Sequence, residues 1–222
     1  MSTAVYSSLS VQLLEANASL DTNVVMLRMA QDEFRHAELC GEVARALGGS
    51  RRARRDVALR PIPRHAGCSA QERVLRNVLV TSISEMYSVA YFVASLDRMT
   101  DPYLRTVTRA LLADEILHGR FAFHFLENWT DWLAAHADAR ASISGYLGLA
   151  FAACESEFVR EGRGDRGDDD DALGLVSADD AREIFRETMA HAVAPGLDRF
   201  GLEATRAWNA RGHASKLGIC AT

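Results

Sequence analysis

Residues 32–37 read Asp32-Glu33-Phe34-Arg35-His36-Ala37, and residues 114–119 read Asp114-Glu115-Ile116-Leu117-His118-Gly119. The two stretches are one motif, Asp-Glu-x-x-His, repeated at an offset of 82 residues. On a helix the three-residue spacing puts the carboxylate and the imidazole on one face, one turn apart, where both can reach the same ion. Written at alternating three-and-four spacing, the face that carries the first motif is Thr22, Met26, Met29, Glu33, His36, Cys40, Val43, Leu47. The second is Leu104, Thr108, Leu111, Glu115, His118, Ala122, Phe125, Trp129, and a third stretch between them gives Leu75, Val78, Ser82, Glu85, Val89, Phe92, Leu96. Each stripe is apolar at its ends and ionisable in its middle. A buried carboxylate without a partner is costly, so three interruptions at the centres of three core faces demand compensation, and a bound cation is the simplest.

The flanking sequence supplies helix boundaries. Residues 4–17 and 22–48 read as two helices joined by a polar stretch, the second closed by Gly48-Gly49. Ser69 with Glu72 fits a capping box for a third helix over 70–98, and Asp101-Pro102 opens a fourth that reaches the Ala-rich segment near 135. Two long helices joined by three residues are antiparallel neighbours. Glu85 lies about 14 residues before that joint, and the midpoint of Glu115 and His118 about 15 after it, which sets them level at 1.5 Å per residue. A fifth helix over about 141–160, a solvated acidic loop over 161–171, and a last helix capped by Ser177 and kinked or stopped at Pro195 complete the pattern. The expected fold is all-α: a four-helix bundle over 1–137 with a helical extension over 138–222 packed on it.

The twin Glu-x-x-His motifs, with a lone Glu85 between them, resemble the ferritin-like di-iron carboxylate superfamily, in which two helices each give a Glu and the other two each give Glu-x-x-His. The resemblance covers about residues 1–130. It implies two iron ions, with manganese or a mixed pair as variants, and O2 as co-substrate. Glu33 and Glu115 would bridge the metals, His36 would bind one and His118 the other, and Glu85 would be the terminal ligand on the His118 side. It also implies that Asp32 orients His118 and Asp114 orients His36. One departure stands out. A sixth ligand is expected from the first helix, between Thr3 and Tyr6 or just before Met1, yet none of Met1 to Tyr6 is acidic. Glu15 is the carboxylate on that helix, and it falls roughly 15 Å below the site.

Several further residues carry a chemical reading beside an ordinary one. Cys40 lies one turn beyond His36, where core packing is the favoured role. Tyr6, Tyr87, Tyr91, Phe121 and Phe125 bring aromatic surface to the level of the site, as core or as a redox partner. Arg51, Arg52, Arg54, Arg55, Arg60 and Arg64 gather positive charge after the second helix, as a solvated loop or a dock for RNA or an acidic carrier. Asp168–Asp171 lacks the pattern of a calcium loop. His65, His124, His136, His191 and His213 fall off the metal stripes.

Composition bounds the rest. The 222 residues are 48% hydrophobic and 25% charged with four prolines, which excludes a disordered or collagen-like chain. Cys40, Cys68, Cys154 and Cys220 form no Cys-x-x-Cys pair, and a reducing cytoplasm suits them. No run of 18 uncharged apolar residues exists, so no membrane partner is expected. A net charge of −5 argues against a globally basic nucleic-acid binder. The leading function is a non-haem di-iron oxidase or oxygenase acting on a small or carrier-bound substrate, with an electron-donor protein and a homodimer as further expectations. Ferroxidase or iron handling is the alternative reading, and a degenerate ferritin-like binding module the third.

Overall fold

The computed structural model describes residues 2–49, 62–161 and 170–214. Among the described residues the chain is helix, turn and bend, with no strand. The helices are α1 (Ser2–Glu15), α2 (Leu20–Ala46), α3 (Ala70–Arg98), α4 (Pro102–Glu127), α5 (Thr130–Ala135), α6 (Ala137–Glu161), α7 (Asp170–Leu173), α8 (Ala178–Thr188), α9 (Ala194–Asp198) and α10 (Ala204–Ala214), with a π-helical turn over Met189–Val193. The chain divides into two compact units, Met1–Asn77 and Val78–Thr222, and α3 begins in the first and continues in the second.

In the first unit α1 packs on α2. Tyr6, Leu9, Leu13 and Ala16 line one side of α1 at helical spacing and are fully or almost fully buried, as are Met26, Met29 and Ala30 of α2. The joint turns at Asn17, whose φ of 57° is a left-handed conformation that Asn tolerates better than most residues. Ser19 then caps α2, its hydroxyl accepting from the Thr22 backbone N–H at 3.2 Å. At the other end Gly48, with φ 80°, donates to the Arg45 carbonyl, and Gly49 donates to that of Ala44, the bond pair of a Schellman ending. Ser69 accepts from the Glu72 N–H, while the Glu72 carboxylate takes bonds from Arg76 (2.7 Å) and Cys68 (3.3 Å). The Asn77 amide nitrogen donates to Gln12 (2.8 Å) and to the Pro63 carbonyl (2.9 Å), and its oxygen pairs with His65 (2.9 Å), so one buried amide ties α1, the connection and the start of α3 together. Arg51, Arg52, Arg54, Arg55 and Arg60 lie outside the described residues. Arg64 reaches both oxygens of Glu15, at 3.0 and 2.9 Å.

In the second unit α3 turns into α4 within three residues. The Asp101 side chain accepts from the Leu104 N–H (2.9 Å), Pro102 occupies the first turn, and Arg105 Nη1 donates to the carbonyls of Leu96 and Met99, both at 2.6 Å. One guanidinium thus satisfies carbonyls that the end of α3 leaves without helical partners. Farther along, a Cβ on Gly119 would lie 3.0 Å from Met86 Sδ and 3.6 Å from Val89, so the glycine lets α3 and α4 approach closely beside His118. The whole α4 stripe from Leu104 to Trp129 is buried.

The α4 helix stops at Glu127, short of residue 135, and a separate α5 follows. Thr130 makes the break, its hydroxyl donating to the carbonyls of Leu126 (3.2 Å) and Glu127 (3.1 Å). Helix α6 opens at Ala137, four residues before the expected start, and runs to Glu161, and Asp170 and Asp171 belong to α7, so helix takes both ends of the expected acidic loop. Residues 162–169 lie outside the described residues, as do Lys216 and Cys220. Pro195 does not end the last helix. The chain widens into the π turn ahead of it, with the Ala194 N–H bonded to the Met189 carbonyl, and continues as α9. Helix α10, which the sequence reading lacks, is opened by Asp198, whose carboxylate accepts from Ala204 N (2.6 Å) and Thr205 N (3.2 Å). It packs on α6, where Trp208 meets Phe151 at 5.4 Å between ring centroids.

By length and composition α3 is apolar enough to cross a membrane, with a mean hydropathy of 1.3 over 18 residues. Any 18-residue window of a helix bounded by 70 and 98 contains Glu85, and Asn77, Ser82, Glu85 and Ser95 are all buried on it.

Candidate metal centre

The centre of the second unit is built where the α3 and α4 stripes lose their apolar character. Antiparallel pairing brings Glu85 level with the turn from Glu115 to His118, as the residue count from the joint requires: His118 Nδ1 lies 3.6 Å from Glu85 Oε2. Glu115, one turn before His118, completes the group. Glu85, Glu115 and His118 are all buried, His118 to 1% exposure, and each offers one ligand atom within 4.8 Å of the others. Leu111 and Ala122 lie buried on the same α4 face on either side. Two carboxylates and an imidazole around one small volume form a hard oxygen and nitrogen donor set that suits a divalent first-row metal. The group could therefore hold a metal ion.

The first unit carries the matching motif. Glu33 Oε1 lies 3.5 Å from His36 Nδ1, and both side chains are mostly withdrawn from solvent, at 13% and 9% exposure. Asp32, beside them, is buried, with Oδ1 3.4 Å from Arg28 Nε and 4.0 Å from Arg35 Nη2. Asp114 of the second unit is half-buried. On α1, Glu15 is held by Arg64 and by Arg73 at 3.5 Å.

Cys40 is exposed, which corrects its expected place in the core. The stripe that carries it is buried only as far as His36, and by Leu47 it is open to solvent. Partial burial first, and the Glu33 charge second, push the Cys40 thiol above its ordinary pKa, so it is a weak thiolate source. Tyr6 is fully buried in the first unit. His124 is exposed and pairs with Glu127 at 3.2 Å, His191 pairs with Glu187 at 3.2 Å, and His136 is exposed and stacks on Trp132.

Tyr87 and Tyr91 stand on α3 two and six residues beyond Glu85, about half a turn and nearly two turns, and belong to an aromatic cluster that the sequence reading only half named. The Tyr87 ring lies 4.5 Å from that of Phe158 on α6, 5.5 Å from Phe185 on α8 and 5.9 Å from Tyr91. Phe158 and Phe185 come from parts of the chain without a motif, and only the folded chain brings them to α3.

No protein-family model matches the chain, and no curated protein matches it in sequence.

Proposed function

We propose that Glu33 and His36 of the first unit and Glu85, Glu115 and His118 of the second are the two halves of one ferritin-like di-metal centre, and that the protein is a di-iron oxidase or oxygenase of a small organic substrate. The observation that carries the reading is the buried group of Glu85, Glu115 and His118, at the middle of two otherwise apolar faces. The repeat of the Glu115-x-x-His118 pattern at Glu33-x-x-His36 supports a second metal. Carboxylates with two imidazoles favour iron or manganese over copper. When bound, a pair of reduced irons would supply two electrons to O2.

The residues divide the work by type. Glu33 and Glu115 would bridge, since a carboxylate has two oxygens to offer, while His36 and His118 would each hold one ion. The Glu85 anion would lower the net charge of the His118 side. Buried Leu111, Ala122 and Phe125 exclude water around the α4 motif, which strengthens every charge interaction in the site. Asp32 and Asp114, placed before each motif Glu, are suited to fix imidazole orientation.

Rapid mixing of anaerobically Fe(II)-loaded protein with O2 tests this reading. A transient visible absorption that decays within one turnover supports it. A chain that binds two irons and shows no optical change, or one that accumulates many irons in a large assembly, contradicts it, the latter in favour of iron storage.

A further inference from the structure

A cavity of about 310 Å³ opens beside the upper part of α3. Its α3 wall is Tyr87, Ser88, Tyr91 and Phe92, and Phe158 of α6 and Ala181 of α8 face it, with Val176 between α7 and α8. From this geometry we infer that the cavity is a binding site for an uncharged aromatic ligand of one or two rings, and that this is the substrate end of the proposed metal centre. The second half of the inference rests on the di-metal reading above; the first does not.

Three observations carry it. The volume is at the lower end of the range of about 300–1,000 Å³ in which small ligands are held, so it suits a compact molecule. Among the described residues none of the lining side chains is charged, so against this wall an ionised ligand would lose water without gaining a counter-charge, and neutral molecules are favoured. The wall is mostly aromatic. Tyr87 stands 4.5 Å from Phe158 and 5.9 Å from Tyr91, and Tyr91 stands 6.4 Å from Phe92, all between ring centroids. Such a tilted series presents ring faces and edges together, which an aromatic guest matches by offset or edge-on stacking and an alkyl chain does not. The Ser88 and Tyr91 hydroxyls supply polar groups that can orient a ring N–H or O–H.

The position links the cavity to the metal residues. Ser88 and Phe92 follow Glu85 by three and seven residues and so lie on its face of α3, about 4.5 and 10.5 Å along the axis. Tyr87 and Tyr91, two and six residues beyond it, are turned about 160° and 120° away, so the Ser88 and Phe92 side of the cavity is the one on the metal face. A flat guest resting on that face comes within one to two turns of the Glu85 carboxylate.

Calorimetric titration of the full chain with indole, against benzoate and 1-hexanol, tests the site. The expected result is saturable indole binding at least ten-fold tighter than either control, weakened ten-fold or more in Ala181→Phe, which fills the cavity, and in Tyr91→Leu, which removes one ring and keeps its bulk apolar. Circular dichroism of each variant checks that it is folded, and Tyr91→Leu serves if Ala181→Phe is not. Indole bound no better than benzoate or hexanol, or bound equally by both folded variants, overturns the site. The link is read separately, from proton line widths of bound indole after loading with Mn(II). Broadening that vanishes in His118→Ala supports the substrate role. A chain that takes up Mn(II) and binds indole without broadening overturns that role, whereas a chain that binds indole and takes up no Mn(II) refutes the metal reading and leaves the aromatic site standing.

Discussion

His118 Nδ1 on α4 and Glu85 Oε2 on α3 lie 3.6 Å apart, buried, about 18 and 15 residues from the joint that connects their helices. The spacing follows from the tight turn at Met99–Asp101 and from the Arg105 bonds to the Leu96 and Met99 carbonyls, which fix where α4 starts against α3. Two antiparallel helices leaving one joint keep equal counts level.

Glu85→Gln is expected to leave the fold intact, since it preserves volume and hydrogen-bonding capacity, and to weaken the metal on the His118 side by removing an anionic ligand. Circular dichroism with metal titration checks this. Unchanged stoichiometry and affinity would place Glu85 outside the coordination sphere.

The two metals should differ. In the proposed centre none of the residues from Ser2 to Tyr6 offers a carboxylate, so an ion held by Glu33 and His36 would have less negative charge from this chain around it and should be lost first to a chelator. Thr3 is half-buried on α1, near the expected ligand position, and Thr3→Glu should retain that ion. Release of both metals at one affinity, with no effect of Thr3→Glu, would contradict an open position.

Glu155 on α6 accepts from Arg186 Nε (2.9 Å) on α8 and from Arg211 Nε (2.7 Å) on α10, and the Arg211 guanidinium lies 3.3 Å over the Trp208 ring. Burial alone would raise the Glu155 pKa, but the bonds and charges of the two arginines outweigh it and hold it below the ordinary carboxylate value. A lowered folded-state pKa gives stability that is fully present above the unfolded value of about 4.3 and is lost as pH falls through the folded value. Glu155→Gln should therefore cost about 1–2 kcal/mol at pH 7, discounted for partial exposure. The gap in melting temperature should narrow below about pH 4.3. Thermal melts from pH 7 to pH 3 check this, and a gap independent of pH would contradict it.

Gly174 has φ 73°, and a Cβ there would fall 2.7 Å from the Ser95 carbonyl oxygen and 2.8 Å from Met99 Cβ. The Ser95 hydroxyl donates to the Gly174 carbonyl at 2.6 Å, so the turn cannot drift away from α3 without losing that bond. Gly174→Ala should destabilise the protein by about 1–3 kcal/mol, read from urea unfolding midpoints. A neutral or stabilising effect would contradict the close packing.

Much of this was legible in the sequence wherever a local signal was sufficient. Gly48, Asp101 and Ser177 mark the helix ends they were read to mark, because a cap is made by residues three or four positions away, whereas the Ser19 cap lies inside the polar stretch expected to join the first two helices. The α4 stripe is buried from end to end, yet the α2 stripe is covered only as far as His36, and Cys40 and Leu47 are exposed. Periodicity says which residues share a face and not where along the helix that face stops being covered. On the opposite face of α2, Leu20, Val24, Leu27 and Phe34 are exposed despite their apolar character. Helix α10 escaped notice because its capping carboxylate, Asp198, stands six residues before the first amide it caps. Phe158 and Phe185 escaped for a related reason: aromatic side chains at no motif spacing gain meaning only from the partners that folding gives them.

The central claim is that buried and half-buried Glu and His side chains of α2, α3 and α4 hold metal, and the most direct measurement is the iron content of the chain after anaerobic reconstitution and desalting. The account predicts two irons per chain in the wild type and no more than one in His118→Ala or Glu115→Ala. It predicts an unchanged two in His124→Ala, whose imidazole is exposed and lies about 600° of helix rotation from His118. Iron at background level in the wild type, or equal loss in all three variants, would contradict it.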